Sequence, residues 1–313
     1  MTEATRGADA ALSPIVAGAW RMADWQWSVA ERLAWIEGCL DLGVTSFDHA
    51  DIYGGYAVEA QFGEALALAP ALRARMQLVS KCGIRLRHPS RPAHRIKHYD
   101  SSAAHIIGSA EASLRLLRTD HLDLLLLHRP DALMDADEVA GAFEQLRRDG
   151  KVRHFGVSNF TPAQFALLHS RTPLVTNQIE LHPLHRAPLT DGTLDQCQAL
   201  RLRPMIWSPL AGGALFTGTE AAAVRVRAVL QQIGDVHGAS AATIAFAWLL
   251  RHPSQPVPIT GSRRLVAIRE AMAATALRLE AQEWTEILTA AAGHDVPKDA
   301  RGGAATGRPT PAG

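Results

Sequence analysis

The stretch Leu122-Asp-Leu-Leu-Leu-Leu-His-Arg129 decides the fold, because it is apolar at every position from Leu124 to Leu127. A strand that is apolar on both of its alternating faces is typical of a parallel sheet covered by helices. Six apolar residues upstream recur at the spacing of one helix face: Ala103, Ile106, Ile107, Ala110, Leu114 and Leu117. The stretch therefore predicts a buried parallel strand that follows an amphipathic helix.

The same alternation of short strands and helices continues through the rest of the chain. The predicted strands are residues 15–18, 45–48, 76–81, 122–127, 152–157, 175–179, 205–207 and 256–259. Three of the helices are predicted to begin at N-terminal caps. Two are capping boxes, Ser28/Glu31 and Thr161/Gln164, and the third cap is formed by Asp135 and Glu138. Further helices are predicted at residues 59–69, 194–202, 220–251 with a break at 234–240, 265–274 and 282–292.

Eight strand–helix units without a break in composition favour an α/β fold, a (β/α)8 TIM barrel, in one domain over residues 1–297 with a short N-terminal segment. The alternative is a doubly wound sheet, which usually carries G-x-G-x-x-G after its first strand. The chain contains neither that motif nor a P-loop. Residues 298–313, which are rich in Gly, Ala and Pro, are expected to form a disordered tail.

Composition excludes several classes of protein. Of the 313 residues, 47% are hydrophobic and 20% are charged, which is enough apolar material for a large core. The net charge of +1 provides no basic excess for binding nucleic acid or an anionic membrane. The longest apolar run, residues 244–250, is far below the roughly 18 residues needed to span a bilayer. With no signal peptide in the first 13 residues, we expect a cytoplasmic protein whose partner is a small molecule.

Polar and aromatic side chains follow the predicted strands, at the edge where a barrel carries its chemistry. They are Trp20, Asp48, His49, Asp51, Tyr53, Lys81, His128, Arg129, Ser158, Asn159, Gln178, Glu180, His182, Trp207, Ser208, Ser262, Arg263 and Arg264. A tyrosine is a poor acid near neutral pH, but a neighbouring ammonium group lowers the pKa of the phenol. We therefore expect Tyr53 to give a proton to a carbonyl oxygen, with Lys81 beside it.

Two more groups complete this predicted set of catalytic residues. The carboxylate of Asp48 would hold Lys81 charged and in place, and His128 would orient the carbonyl oxygen beside Tyr53. Trp207 offers a flat apolar face on which a nicotinamide ring could stack. Ser158, Asn159 and Gln178 offer hydrogen-bonding groups suited to the carboxamide of that nicotinamide.

Four segments resemble the aldo-keto reductases, and the resemblance covers nearly all of residues 15–297. The segments are Phe47-Asp-His-Ala-Asp-Ile-Tyr-Gly-Gly55, Leu78-Val-Ser-Lys-Cys-Gly83, Asp123-Leu-Leu-Leu-Leu-His-Arg-Pro-Asp131 and Lys151-Val-Arg-His-Phe-Gly-Val-Ser-Asn-Phe160. The DHADIYGGY and LLLLHRPD forms look most like a bacterial branch of the family. The resemblance implies a (β/α)8 barrel that reduces carbonyl groups reversibly with NAD(P)H and without a metal.

The resemblance also implies roles for individual residues. It makes Tyr53 the general acid, Lys81 and Asp48 the pair that tunes its pKa, and His128 the residue that orients the carbonyl. Its implied cofactor contacts are Ser158, Asn159 and Gln178 on the carboxamide, Trp207 under the nicotinamide, Ser208, Leu210 and Gly212 along the pyrophosphate, Ser262, Arg263 and Arg264 at the adenosine phosphate, and Glu270 at the adenine. Trp20, Trp25 and Arg129 are the candidate substrate contacts.

The sequence departs from the family pattern near the adenosine phosphate. It has Gly261 where many relatives have lysine, Ala267 where they have arginine, and Ala271 where they have asparagine. Arg263 and Arg264 nevertheless favour NADPH over NADH, because a guanidinium group suits phosphate.

Two other functions are considered. A metal-dependent barrel hydrolase would use His49, Asp51, His128 and His182 as ligands, but the chain has no H-x-H after its first strand. A catalytically quiet NADP-binding subunit that senses redox state would keep the cofactor site without turnover. The complete set of Asp48, Tyr53, Lys81 and His128 argues against lost chemistry.

Overall fold

The computed structural model describes residues 10–296 and contains a closed barrel of eight parallel strands. The strands are β1 (Val16–Gly18), β2 (Ser46–Asp48), β3 (Gln77–Cys82), β4 (Leu122–Leu127), β5 (Val152–Ser158), β6 (Asn177–Glu180), β7 (Met205–Trp207) and β8 (Val257–Thr260). Pairing of Val16 with Ile259 joins β1 to β8 and closes the barrel. The predicted (β/α)8 fold is confirmed, and the doubly wound alternative is wrong. The tail predicted at residues 298–313 lies outside the described residues.

Helices follow the strands and cover the outside of the barrel. They are α1 (Val29–Asp41), α2 (Val58–Leu66), α3 (Ala103–Leu117), α4 (Ala136–Arg148), α5 (Pro162–His169), α6 (Thr193–Leu200), α7 (Ala221–His237), α8 (Ala241–Leu250), α9 (Leu265–Ala273) and α10 (Ala281–Ala292). One-turn helices at Tyr53–Tyr56 and Ala214–Thr217 lie in the loops after β2 and β7. A hairpin formed by Ile84–Arg85 and His98–Tyr99 follows β3.

The predicted caps at Ser28/Glu31 and Thr161/Gln164 are reciprocal capping boxes. Asp135 also caps its helix, since its Oδ1 accepts the backbone N–H groups of Asp137 and Glu138. The predicted capping role of Glu138 is wrong, because its Oε1 accepts the N–H of Ala103 at the start of α3. Glu138 therefore ties two neighbouring helices together.

Two predicted helix boundaries were also wrong. The helix α2 ends before residue 69, because Pro70 begins a separate 3-10 helix. The break between α7 and α8 begins at Gly238, with a φ of 62°, and Ser240 then caps α8. Gly234 remains helical. Among the described residues no single helix is long and apolar enough to cross a membrane; α7 and α8 reach that length only together and are bent by 93°.

The strand β4 shows how the apolar pattern builds the core. Leu124 and Leu126 belong to a small cluster with Val16, Val79, Met205, Val257 and Ile259, which come from other barrel strands. Leu122, Leu125 and Leu127 belong to the larger cluster that includes the helices. All six residues of the strand are buried. Both faces are therefore covered, as the continuous apolar run predicted.

Candidate active site

Lys81 is the centre of a buried hydrogen-bonded cluster at the C-terminal end of the barrel. Its side chain is fully buried on β3. Its Nζ donates to both carboxylate oxygens of Asp48 at 2.8 and 2.7 Å, to the carbonyl oxygen of His49 at 2.7 Å and to Tyr53 Oη at 2.9 Å. An ammonium group has three hydrogens, so one is shared between two of these acceptors. The cluster joins three of the four predicted catalytic residues directly.

A tight turn after β2 brings Tyr53 to this cluster. Asp48 ends β2, and the one-turn helix that begins at Tyr53 contains Gly54 and Gly55, whose φ angles are 57° and 64°. Glycine adopts this conformation at no steric cost, because it has no Cβ atom. A Cβ atom at Gly54 would also lie 2.7 Å from the Cβ of Ala23. The glycines that follow Tyr53 in the sequence therefore allow the turn.

The pKa values in the cluster keep Lys81 charged and Tyr53 protonated. Burial lowers the pKa of Lys81, but the charge of Asp48 and the hydrogen bonds to Asp48 and Tyr53 raise it above its usual value. Burial raises the pKa of Tyr53 above its usual value, although the charge of Lys81 acts in the opposite direction. The predicted lowering of the Tyr53 pKa is therefore wrong as a net direction. Desolvation of the phenolate outweighs the neighbouring ammonium group.

His128 follows β4 and faces Tyr53. The two rings are 5.9 Å apart between centroids and nearly perpendicular. Burial first, and then the charges of Lys81, Arg129 and Lys97, lower the pKa of His128 well below its usual value. The imidazole is therefore neutral at physiological pH and carries a single N–H. Its Nδ1 is buried and has no hydrogen-bond partner among residues 10–296.

The predicted nicotinamide contacts form one connected chain of side chains. Ser158 Oγ donates to the carbonyl oxygen of Gln178 at 2.9 Å, and Asn159 Nδ2 donates to Ser158 Oγ at 2.7 Å. Trp207 Nε1 donates to Asn159 Oδ1 at 3.0 Å, which fixes the indole ring. Asn159 adopts a φ of 61°, a conformation that asparagine tolerates better than most residues. The flat ring of Trp207 fits a nicotinamide ring, and the polar groups beside it fit the carboxamide of that ring.

Gln178 also contacts the cluster around Lys81. Its side-chain amide donates to Asp48 Oδ1 at 2.9 Å. The same Nε2 lies 3.7 Å from the sulfur of Met205. Gln178 therefore connects the predicted cofactor pocket to Asp48.

The loop after β7 fits a phosphate-bearing chain. Ser208, Ala211, Gly212 and Gly213 all have positive φ angles, from 50° to 108°. This conformation turns successive backbone N–H groups toward one side, as in anion-binding loops. Leu210 is half-buried in the same loop, and Arg21 Nη2 lies 3.5 Å from the carbonyl oxygen of Gly212.

The loop after β8 leads into the open N-terminus of α9. Ser262 Oγ accepts the N–H of Arg264 at 3.1 Å, and its carbonyl oxygen accepts Trp35 Nε1 at 3.2 Å. The α9 helix has no side-chain cap, and the N–H groups of Leu265 and Val266 have no hydrogen-bond partner among residues 10–296. The exposed guanidinium groups of Arg263 and Arg264 make no ion pair among the described residues. Together these features fit a phosphate group. Glu270 lies half-buried on α9.

The predicted substrate contacts lie in different environments. Trp20 is 58% exposed, and Arg21 lies over its ring at 5.4 Å. Arg129 lies over the ring of Trp207 at 5.7 Å. Trp25 is buried, and its ring packs on the rings of two other tryptophans, Trp27 at 4.7 Å and Trp35 at 5.2 Å.

Sequence reasoning named Asp51 but missed Glu59, a second buried acid whose charge acts on it. Asp51 Oδ2 accepts a hydrogen bond from Ser109 of α3 at 2.8 Å, and Glu59 Oε1 accepts one from Ser80 at 2.6 Å. Burial, together with the charge of Glu59, raises the pKa of Asp51 to about 7. Ser109 is 58 positions from Asp51, so no local pattern could have joined them. Among residues 10–296 no three His, Cys, Asp or Glu side chains could hold a metal ion, so the hydrolase hypothesis gains no ligand set.

Comparison with known proteins decides the family. The sequence profile described as Aldo/keto reductase family matches residues 14–292. The chain belongs to the aldo-keto reductases. This aldo-keto reductase is 55% identical to the oxidoreductase YdhF of Escherichia coli strain K12, over 91% of its own length and 95% of that protein. It is 47% identical to a 6-dehydroglucose reductase of Agrobacterium fabrum, over 91% of this chain and 96% of the relative.

A solved structure agrees with the fold of this aldo-keto reductase. The aldo-keto reductase from Klebsiella pneumoniae in complex with NADPH superimposes with a TM-score of 0.71 at 27% identity. The match covers 88% of this chain and 89% of that structure. The family predicted from the sequence motifs is therefore confirmed. The prediction that the protein is an oxidoreductase is confirmed with it.

Proposed function

We propose that this aldo-keto reductase uses NADPH to reduce the carbonyl group of an aldehyde or ketone to an alcohol, with Tyr53 as the general acid. The observation that carries the proposal is the 2.9 Å hydrogen bond from the buried ammonium group of Lys81 to Tyr53 Oη. NADPH, when bound, supplies a hydride to the carbonyl carbon. Tyr53 supplies the proton to the carbonyl oxygen, so one hydride and one proton together convert C=O to CH–OH.

Each residue of the cluster has a separate task in this reaction. Tyr53 is protonated before the reaction, because burial raises its pKa. Once it has given its proton, the Lys81 ammonium group at 2.9 Å stabilises the phenolate until solvent returns a proton. Asp48 holds Lys81 charged. The neutral imidazole of His128 donates one hydrogen bond to the carbonyl oxygen and orients it toward Tyr53.

The cofactor site supports NADPH rather than NADH. Trp207 would stack on the nicotinamide, and its orientation is held by Asn159 at 3.0 Å. Further contacts are proposed for Ser158 and Gln178 at the carboxamide, Ser208, Leu210 and Gly212 at the pyrophosphate, Ser262, Arg263 and Arg264 at the adenosine phosphate, and Glu270 at the adenine. The guanidinium groups of Arg263 and Arg264, which form no ion pair within residues 10–296, would bind the 2′-phosphate that NADH lacks.

The first substrates to test are polyhydroxylated aldehydes, because a relative that is 47% identical is a 6-dehydroglucose reductase. Trp20 is exposed enough to contact a sugar ring, and Arg129 has donors for its hydroxyl groups. The cytoplasmic location expected from the sequence stays a prediction.

The decisive experiment compares the wild-type protein with Tyr53→Phe. We expect the wild type to oxidise NADPH when an aldehyde is added, and the variant to lose this activity by about a thousandfold or more. Binding of NADPH, followed by quenching of tryptophan fluorescence, is expected to remain. Undiminished turnover by Tyr53→Phe would contradict the role of Tyr53. If the wild type binds NADPH tightly but reduces no aldehyde or ketone, the proposed reductase function is wrong. The redox-sensing subunit would then be the better explanation.

A further inference from the structure

Tyr56 has a strained backbone conformation three residues after Tyr53. Its φ is 75°, so it lies in the left-handed region together with the two glycines before it. Among residues 10–296 it is the only aromatic residue with a positive φ. A large side chain is crowded in this region, and it stays there only where the surrounding structure holds it. The contacts that hold Tyr56 can therefore be sought in the residues around it.

The hairpin after β3 holds the side chain of Tyr56. The N–H of Leu86 donates to Tyr56 Oη at 2.9 Å, and the guanidinium group of Arg91 lies 4.8 Å from the centre of the ring. The ring of His88 meets the Tyr56 ring edge-on, with 5.9 Å between the centroids. All three contacts come from the short segment 86–91, in which the N–H of Arg91 donates to the carbonyl oxygen of His88 at 2.8 Å. One end of the hairpin therefore grips one side chain.

The same segment also packs on the turn that carries Tyr53. A Cβ atom on Gly55 would lie only 2.6 Å from His88 Nε2, so the histidine covers the backbone of the turn. The turn is closed by a hydrogen bond of 3.1 Å from the N–H of Ala57 to the carbonyl oxygen of Tyr53. The backbone of Tyr53 is thus connected to the hairpin through Gly55 and Tyr56.

The hairpin and Tyr53 reach the same lysine by two different routes. Along the chain, the first strand of the hairpin begins at Ile84, three residues after Lys81. Through space, Tyr53 Oη accepts a hydrogen bond from Lys81 Nζ at 2.9 Å. Together with the bond between Leu86 and Tyr56, these connections form a closed loop of contacts. A shift of the turn is therefore resisted by the strand that carries Lys81.

We propose that Tyr56 is a positioning residue, whose hydroxyl group ties the turn to the hairpin and so keeps Tyr53 Oη within hydrogen-bonding distance of Lys81. The proposal rests on the proposed reductase function and adds to it a residue that acts through Tyr53. Without the bond to Leu86, the strained backbone at Tyr56 is free to relax. Tyr53 lies in the same turn and moves with it. A small displacement of the acid from the reacting oxygen slows the reaction.

A purely structural role for Tyr56 would give a different kinetic result. If Tyr56 only stabilised the fold, its loss would reduce the number of competent molecules, and the remaining ones would react at the normal rate. A single turnover separates the two cases. The protein is loaded with NADPH and mixed with saturating D-glyceraldehyde, or with benzaldehyde if the wild type reduces that faster. Loss of NADPH fluorescence gives the rate constant of reduction, and its amplitude gives the number of competent molecules.

Tyr56→Phe removes only the hydroxyl group and keeps the ring beside Arg91. We expect the rate constant to fall by about three- to tenfold, the contribution of one hydrogen bond, while the amplitude and the affinity for NADPH stay unchanged. Tyr99→Phe is the matched control. It removes the hydroxyl group of an exposed tyrosine of the same hairpin, which has no hydrogen-bond partner in the described part of the chain. It should leave the rate constant unchanged.

A second variant separates the side chain from the backbone conformation. Tyr56→Gly suits a φ of 75° but loses every side-chain contact with the hairpin. We expect it to be slower than Tyr56→Phe by about a further twofold or more, because it also loses the contact with Arg91. Hydrogen–deuterium exchange, followed by mass spectrometry, reports on the hairpin directly. A peptide covering residues 84–91 should exchange faster in both variants than in the wild type.

The outcomes separate this inference from the proposed function. A Tyr56→Phe rate constant equal to that of the wild type would overturn the positioning role, and so would a loss confined to the amplitude. Tyr56→Gly reacting as fast as the wild type would also overturn it. Equal slowing by Tyr99→Phe would assign the effect to the hairpin in general and not to Tyr56. If the wild type reduces no aldehyde at all, the reductase function is wrong first, and the inference falls with it.

Discussion

Gln178 donates its side-chain amide to Asp48 Oδ1 at 2.9 Å, across 130 positions of sequence. The same oxygen accepts a hydrogen bond from Lys81 Nζ at 2.8 Å. Asp48 is thus held between a residue of the cofactor pocket on β6 and the ammonium group that contacts Tyr53. Through this bond the position of Lys81 depends on a residue that sequence reasoning had placed on the carboxamide.

Replacing Gln178 with methionine should therefore affect both stability and catalysis. The variant keeps the volume of the side chain but leaves Asp48 Oδ1 with one donor fewer, so we expect the free energy of unfolding to fall by about 1–2 kcal/mol. The kcat for aldehyde reduction should fall more than the affinity for NADPH. Urea denaturation and steady-state kinetics measure the two effects. A variant with weaker NADPH binding and normal kcat would place Gln178 on the cofactor alone.

The buried pair of Lys81 and Asp48 should respond differently to single and double substitution. Lys81→Met leaves a buried carboxylate without its partner, and we expect it to lower the free energy of unfolding by about 3–5 kcal/mol. The double variant Asp48→Asn/Lys81→Met removes both charges and should recover much of this loss, while activity stays absent. Lys151→Met is the matched control, because the ion pairs of Lys151 with Glu111 and Asp149 are exposed to solvent and contribute little to stability. A double variant as unstable as the single one would contradict this explanation.

The preference for NADPH should depend on the loop after β8. Arg263→Met/Arg264→Met is expected to weaken NADPH binding by about tenfold or more and to leave NADH binding nearly unchanged, because only NADPH carries the 2′-phosphate. Arg269→Met, which removes an exposed charge from α9, is the control. Calorimetric titration with both cofactors measures the difference. If the binding of NADPH and of NADH is weakened equally, the two arginines contact a part of the cofactor that both molecules share.

The buried acid Asp51 should make folding depend on pH. Burial first, with the charge of Glu59, raises its pKa from 3.8 to about 7, so the folded state holds this proton more tightly than the unfolded chain does. The stabilisation is fully present below the unfolded pKa and is lost as the pH rises through about 7. Asp51→Asn keeps an acceptor for Ser109 but cannot ionise.

We therefore expect the stability of Asp51→Asn, relative to the wild type, to rise between pH 4 and 8, a range that brackets the shift from 3.8 to about 7. Denaturation curves across this range test the prediction. Asp24→Asn, a substitution of an exposed acid, should show no such trend. A difference between Asp51→Asn and wild type that stays constant with pH would mean that Asp51 is ionised throughout.

Local patterns predicted what depends on neighbours in the chain. The two capping boxes formed as predicted because Ser28 with Glu31, and Thr161 with Gln164, are one helical turn apart. The prediction for Glu138 was wrong because its carboxylate accepts a hydrogen bond from the N–H of Ala103 in another helix, 35 positions away. Trp25, a candidate substrate contact, is buried and packs on Trp35. For Glu138, a tertiary contact replaced the expected local one.

The sequence by itself determined the barrel and indicated which residues lie at the ends of its strands. Continuous apolar strands, helices with their own caps and polar residues after strand ends are local properties. A parallel barrel brings the carboxyl ends of its strands to one side. The tertiary structure alone decided how Tyr53, Gln178 and Asp51 behave. Burial raises the pKa of Tyr53, whereas its neighbour Lys81 alone would lower it. Desolvation and contacts between distant residues depend on the packed molecule, and no window of sequence contains them.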